Sequence, residues 1–203
     1  LNSDKSNIAW QRSNVTRLDR QKRNGHSGCV LWLTGLPGAG KSTLAFALEQ
    51  ELFARNVSAY VLDGDNIRHG LGRDLGFSPE DRTENVRRVG EVAKLMLDAG
   101  LIVLAALISP NSSDRRMVRD LFAPGDFIEI YVNCSLAECE KRDPKGLYKK
   151  ARSGQIPNFT GIGSGYDVPA RPELTLDTER LTVPESVAAV IRYLEVRGYL
   201  APR

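Results

Sequence analysis

Cysteine is scarce in this chain. Three are present, Cys29, Cys134 and Cys139, an odd count with no C-x-x-C pair, which argues against a disulfide framework. Cys29 and Cys134 adjoin apolar, strand-like runs, so buried reduced thiols in a cytoplasmic protein are expected. Long apolar runs are lacking as well. The longest, Leu101 to Ile108, is strand-sized, so no membrane partner is expected. The polar N-terminus argues against a signal peptide. Charge of one sign is missing too: a net charge of +3 and a pI near 8.8 are too mild to point to nucleic acid. Repeats and low-complexity tracts are absent. What remains is a chain of 203 residues, 41% hydrophobic, enough for one domain with a full core. It opens on Leu1 rather than Met, and we expect a segment of a longer protein.

One stretch organises the rest. Gly35-Leu36-Pro37-Gly38-Ala39-Gly40-Lys41-Ser42-Thr43 fits G-x-x-x-x-G-K-[ST] without a mismatch. Cys29 to Thr34 before it reads as a buried strand, and Leu44 to Leu52 after it is rich in helix formers. Strand, glycine loop and helix form the P-loop context. The glycines let several backbone N–H groups converge on one phosphate. Lys41 then reaches the β- and γ-phosphates of a nucleoside triphosphate, and the Ser42 hydroxyl binds Mg²⁺.

Around this loop the patterning alternates. Leu1 to Ser27 is a polar, charge-rich extension with Ile8, Trp10, Val15 and Leu18 as docking anchors, Trp10 also suiting a subunit interface. A second strand, Ala59 to Leu62, runs into Asp63-Gly64-Asp65-Asn66. A helix begins at Ser78-Pro79-Glu80-Asp81, with Ser78 as N-cap and Asp81 closing a capping box; it buries Val86, Val89, Ala93 and Met96 and ends at Gly100. Leu101 to Leu107 is a central strand, a charged helix runs from about Asp114 to Leu121, and Phe127 to Val132 is a fourth strand. Ser135 caps the next helix. From Asp143 to Pro172 periodicity stops, which predicts a mobile lid or binding loop over about 143–172. Leu174 to Asp177 is a fifth strand, and a second capping box, Thr182 to Glu185, starts the last helix. The fold class is α/β: an open parallel five-stranded sheet with helices on both faces, residues 28–203 forming the domain and 1–27 the extension.

A P-loop alone does not distinguish a switch protein from a transferase. The chain has no N-K-x-D, and its one D-x-x-G, Asp143 to Gly146, opens the lysine-rich loop instead of ending a strand. After the second strand stand two carboxylates and an arginine, Asp63, Asp65 and Arg68, at the sheet edge where ligands bind. Asp63 suits Mg²⁺ held through water, or proton removal from an attacking hydroxyl; alone, such an Asp is as often a cap or turn residue.

These motifs resemble the adenylyl-sulfate kinase family. The resemblance rests on Asp63-Gly64-Asp65-Asn66-Ile67-Arg68-His69-Gly70-Leu71, on Leu75 to Ser78, and on Asp81-Arg82 with Glu84 to Arg88. Asn24-Gly25-His26, Lys145 to Arg152 and Phe159 to Ile162 add to it, so it spans nearly the whole chain. It implies that ATP phosphorylates the ribose 3′-hydroxyl of adenylyl sulfate, giving 3′-phosphoadenylyl sulfate and ADP. It further implies that Asp65, Arg68, Arg82 and Asn85 contact the acceptor, that Ile108 and Ser109 line its site, and that Phe77 and Phe159 clasp its adenine. Lys145 enters with the lid and neutralises charge on the phosphoryl group. Ser109 has been assigned in this family as a phosphoserine intermediate; direct in-line transfer past Ser109 is simpler. A homodimer in cytoplasmic sulfate activation follows from the same resemblance, and the non-Met start with the N-terminal extension suggests a sulfate adenylyltransferase as fused or separate partner. Arg87 and Arg88 read as solvated helix positions, His26 and His69 as structural. One departure stands out: the family's aromatic–Arg pair after Ser109-Pro110 is Asn111-Ser112 here. The alternatives are another small-molecule kinase, acting on gluconate, shikimate or a nucleoside monophosphate, and a catalytically silent nucleotide-binding domain.

Overall fold

A computed structural model describes Ala9 and residues 11–202. Five parallel strands form one sheet in the order β2-β3-β1-β4-β5. They are β1 (Val30–Thr34), β2 (Ala59–Asp63), β3 (Ile102–Ala106), β4 (Phe127–Asn133) and β5 (Leu174–Asp177). Strands β1 and β3 are buried along their whole length, so both faces must be covered. Alternation along β1 shows how. Leu31 and Leu33 point to a cluster with Leu44, Leu48 and Leu52 of α2 (Lys41–Ala54) and Val190, Ile191 and Leu194 of α8 (Val183–Val196). Val30 and Trp32 point to the other cluster, with Val86, Val89 and Ala93 of α4 (Pro79–Asp98) and Val118 of α5 (Ser112–Arg119). The three cysteines are buried and free.

The remaining helices are α1 (Arg17–Asn24), α3 (Gly64–Arg68), α6 (Leu136–Arg142) and α7 (Leu147–Arg152). Helix α1 corrects the expected docking of the N-terminal segment. Ile8 and Trp10 lie outside the described residues, while Val15 and Leu18 are exposed. Polar contacts dock α1 instead: the Arg17 guanidinium forks onto Asp126 at 2.6 and 2.7 Å, Arg20 donates to Asp98 O, and Asn24 donates to Gly100 O.

Two further expectations change. Ser78 caps α4 and accepts from Asp81 N, but the Asp81 carboxylate turns outward to accept from Gly76 N at 3.0 Å, so no capping box closes. At α8 both halves of the box form, between Thr182 and Glu185. Residues 143–172 are not structureless. The Asp143 carboxylate accepts from Tyr148 N and Lys149 N, and it starts α7 just after the left-handed Gly146. A helix of six residues is too short to leave a readable period. His26 is structural as expected, its Nε2 accepting from Ser58 N. Arg88 is more than a solvated position, because it holds the preceding loop through Asp74 and Leu71 O.

Candidate active site

The carboxyl ends of β1, β2 and β3 lie side by side, the edge where an open α/β sheet receives ligands. β1 delivers the phosphate loop. Gly35, Gly38 and Gly40 have φ of 154°, 78° and 98°, and a Cβ on Gly35 would overlap the Val132 carbonyl. Lys41 opens α2 from inside this loop, its Nζ donating to Gly35 O at 2.9 Å and Leu36 O at 2.7 Å. It is 8% exposed, and burial pushes its ammonium down to about 8. An ammonium held this way is poised to meet phosphate charge.

β2 delivers Asp63, 6% exposed, whose two oxygens do different things. Oδ1 accepts from Asp65 N at 3.0 Å and Asn66 N at 3.2 Å, capping α3. Oδ2 accepts from the Ser42 hydroxyl at 2.6 Å. The capping and chemical readings of this aspartate are therefore both available, one per oxygen. Ser42 Oγ and Asp63 Oδ2 are hard donors on adjacent loops. Among the described residues no three His, Cys, Asp or Glu side chains cluster as a metal cage. That donor set fits Mg²⁺, which keeps several waters and binds through one or two protein oxygens plus phosphates.

The α3–α4 segment carries the expected acceptor residues. Arg68 lies over the Phe77 ring at 4.5 Å and donates to Gly76 O at 2.8 Å. Arg82 donates to Phe77 O at 3.0 Å, Asn158 O at 2.8 Å and Thr160 Oγ1 at 3.2 Å, so one guanidinium joins the segments carrying Phe77 and Phe159. Burial lowers the pKa of both arginines, and among the described residues neither forms an ion pair. Phe77 is 69% exposed; Phe159 is buried edge-on against Tyr148. Asn85 is buried on α4, its Oδ1 close to Gly72. Asp65 is paired with Lys145 of the 143–172 segment, and this contact raises the Lys145 pKa.

β3 delivers Ile108 and Ser109. The Ile108 carbonyl accepts from Thr34 Oγ1 at 2.7 Å. Ser109 is 3% exposed, with its hydroxyl accepting from Trp32 Nε1 and donating to Thr34 Oγ1, both at 3.1 Å. Asn111, at the departure from the family run, donates to Asp114.

Sequence reasoning assigned no role to several residues that build this site. Tyr148 donates its hydroxyl to Pro37 O at 2.9 Å and so ties α7 to the phosphate loop. Tyr166 shares a hydrogen bond with Thr34 at 2.9 Å and stacks on Tyr131. Arg115 and Glu129 form a buried pair at 2.7 Å. A signal existed for the last: a glutamate between Ile128 and Ile130 in an apolar strand needs a buried cation. Tyr148→Phe is expected to leave Pro37 O unpaired and to destabilise the protein by about 1 kcal/mol. Urea unfolding checks this through a lower midpoint at unchanged slope.

A family model described as Adenylylsulphate kinase matches residues 27–177. An adenylyl-sulfate kinase of Staphylococcus epidermidis is 57% identical over 198 residues, 98% of this chain and 100% of that protein. One from Yersinia pestis is 64% identical over 179 residues, 88% of this chain and 84% of that protein. Among solved structures, a Mycobacterium tuberculosis APS kinase in complex with AMPPNP and APS superposes with a TM-score of 0.80 at 48% identity, covering 84% of this chain and 99% of that one. A hexameric APS kinase from Thiobacillus denitrificans gives a TM-score of 0.68 at 36% identity, covering 92% of this chain and 32% of that one. Fold, phosphate loop and relatives define an ATP-dependent P-loop kinase. The chain belongs to the adenylyl-sulfate kinase family.

Proposed function

We propose that the chain transfers the γ-phosphoryl group of ATP to the ribose 3′-hydroxyl of adenylyl sulfate, giving 3′-phosphoadenylyl sulfate and ADP. The observation that carries the acceptor is the pair Arg68 and Arg82. Two part-buried guanidiniums with no carboxylate ion-pair partner among the described residues, beside the exposed Phe77 ring, suit a phosphosulfate and its purine. Asp65, Asn85, Ile108 and Phe159 complete the acceptor side in this reading. Residues Gly35 to Thr43 cradle the donor phosphates. Ser42 and Asp63 would hold Mg²⁺, which would supply charge neutralisation at the donor phosphates. Asp63 Oδ2 takes the proton from the 3′-hydroxyl as the oxygen attacks. Lys145 leaves Asp65 for the transferring phosphoryl group. Ser109 acts by position: both of its hydroxyl bonds are used within the protein, which favours direct in-line transfer.

A coupled ADP-release assay tests this with adenylyl sulfate, gluconate, shikimate and nucleoside monophosphates in turn. Turnover is expected with adenylyl sulfate alone, and chelation of Mg²⁺ should abolish it. No turnover with adenylyl sulfate overturns the reading, and nucleotide binding without any turnover means a silent domain. We extend the proposal to the organisation implied by the sequence: a domain over 28–203 with a lid at 143–172, working as a homodimer in cytoplasmic sulfate activation, beside or fused to a sulfate adenylyltransferase. Free buried thiols support a reducing compartment. Light scattering separates a dimer from the hexamer of the Thiobacillus relative.

A further inference from the structure

Arg115 lies on α5 and is only 4% exposed. Its Nε donates to Glu129 Oε1 at 2.7 Å. A buried ion pair contributes little net stability over apolar packing of the same volume, so what matters here is where the other donors go. Nη1 donates to Ser109 O at 2.7 Å and Pro110 O at 3.2 Å; Nη2 donates to Asp167 O at 2.6 Å. Ser109 has φ of 38°, a left-handed conformation costing a serine about 1–2 kcal/mol, and Arg115 grips that residue's carbonyl. On the other side, Tyr166 and Asp167 form the return of the 143–172 segment. Asp167 N donates to Pro110 O at 2.9 Å, and Asp167 Oδ2 accepts from Ser112 N at 2.9 Å. The Tyr166 ring lies 5.6 Å from the same guanidinium. One rigid fork therefore joins the strained Ser109 turn to the place where the lid segment rejoins the domain.

The geometry points to Arg115 as a positioning residue for the acceptor, one that locks the lid's return to the Ile108–Ser109 turn so that the two are placed together. It touches no reacting atom. The inference rests on the proposal above that Ile108 and Ser109 line the acceptor site. It also accounts for the polar residue inside β4: Glu129 aims the fork. A lysine at 115 keeps the charge opposite Glu129 but cannot bond Ser109 O and Asp167 O in two directions at once.

The test compares Arg115→Lys with wild type by thermal melting, by steady-state kinetics in both substrates, and by trypsin cleavage at Lys145 to Arg152. The expected result is a KM for adenylyl sulfate raised about tenfold or more, since small misplacements at a site are costly. The KM for ATP should stay within about twofold while trypsin cuts the segment faster, and melting should fall by several degrees because three carbonyls lose a donor. A merely structural role moves both KM values together, and that result overturns the inference. So does an adenylyl-sulfate KM within twofold of wild type. If Arg115→Lys does not fold, Glu129→Gln decides, because it weakens the anchor that aims the fork while keeping an acceptor for Arg115 Nε. A several-fold rise in the adenylyl-sulfate KM is then expected, and no rise overturns the inference. If wild type itself does not turn over adenylyl sulfate, the acceptor assignment fails separately, and unchanged trypsin cleavage in the variant overturns the clamp.

Discussion

Lys41→Ala is expected to lower kcat about a thousandfold or more, with melting close to wild type. The ammonium is already stripped of water, which is why its pKa falls to about 8. Among the described residues its hydrogen bonds go to the Gly35 and Leu36 carbonyls. A desolvated, preplaced cation gains far more from developing phosphate charge than one that must first shed water. Losing one such donor typically costs 10²–10³ in rate, and here the donor carries full charge. Stability should respond weakly: alanine gives up two hydrogen bonds but also relieves the burial of a charge. ADP release and a thermal melt measure both sides. A kcat within tenfold of wild type removes Lys41 from the chemistry.

Asp63 permits a sharper dissection, because its two oxygens have separate partners. Asp63→Asn keeps an oxygen for the N–H groups of Asp65 and Asn66 while removing the anion beside Ser42. Asp63→Ala removes both. The expected result is a loss of about 10²–10⁴ in kcat for each variant, the usual value of a positioned base. Only the alanine variant should also lose about 1 kcal/mol of stability, the typical worth of an N-cap side chain. Adenylyl-sulfate binding, measured by calorimetry, should survive in the asparagine variant. Wild-type kcat in Asp63→Asn would sink the base assignment, and equal melting of the two variants would sink the cap.

Much of this was legible in the residues. The spacing from Gly35 to Ser42 fixes a phosphate loop because few other backbones need those glycines, and the parallel sheet follows from β3, which is apolar throughout. β5 and the capping box of α8 fall where the pattern put them. Legibility fails where a rival partner displaces the expected local one, or where a contact links segments far apart in the chain. Asp81 has the right spacing for a local box but is taken by Gly76 N, because the loop before the helix folds back over its first turn. Val15 and Leu18 suggested apolar docking, yet α1 is held by Arg17 on Asp126, 109 residues away. Tyr148 shows no periodicity in its basic loop, and its partner Pro37 lies 111 residues back. Motif spacing reads local geometry; it is blind to partners chosen by the fold.

The sheet keeps two separate clusters, one on each face. The donor loop leads into α2 on one face, and the lid residues Tyr148 and Phe159 pack there too. Helices α4 and α5, one carrying Arg82 and Asn85 and the other Arg115, lie on the opposite face. In the proposed reading the acceptor is therefore held from both faces, by Arg82 and Asn85 on the α4 side and by Phe159 of the lid on the donor side. Exchanging the acceptor would mean rebuilding the α3–α5 half together with the lid around Phe159, while the phosphate loop and α2 stay untouched. Core substitutions on opposite faces should combine additively, which makes this architecture readily diversified.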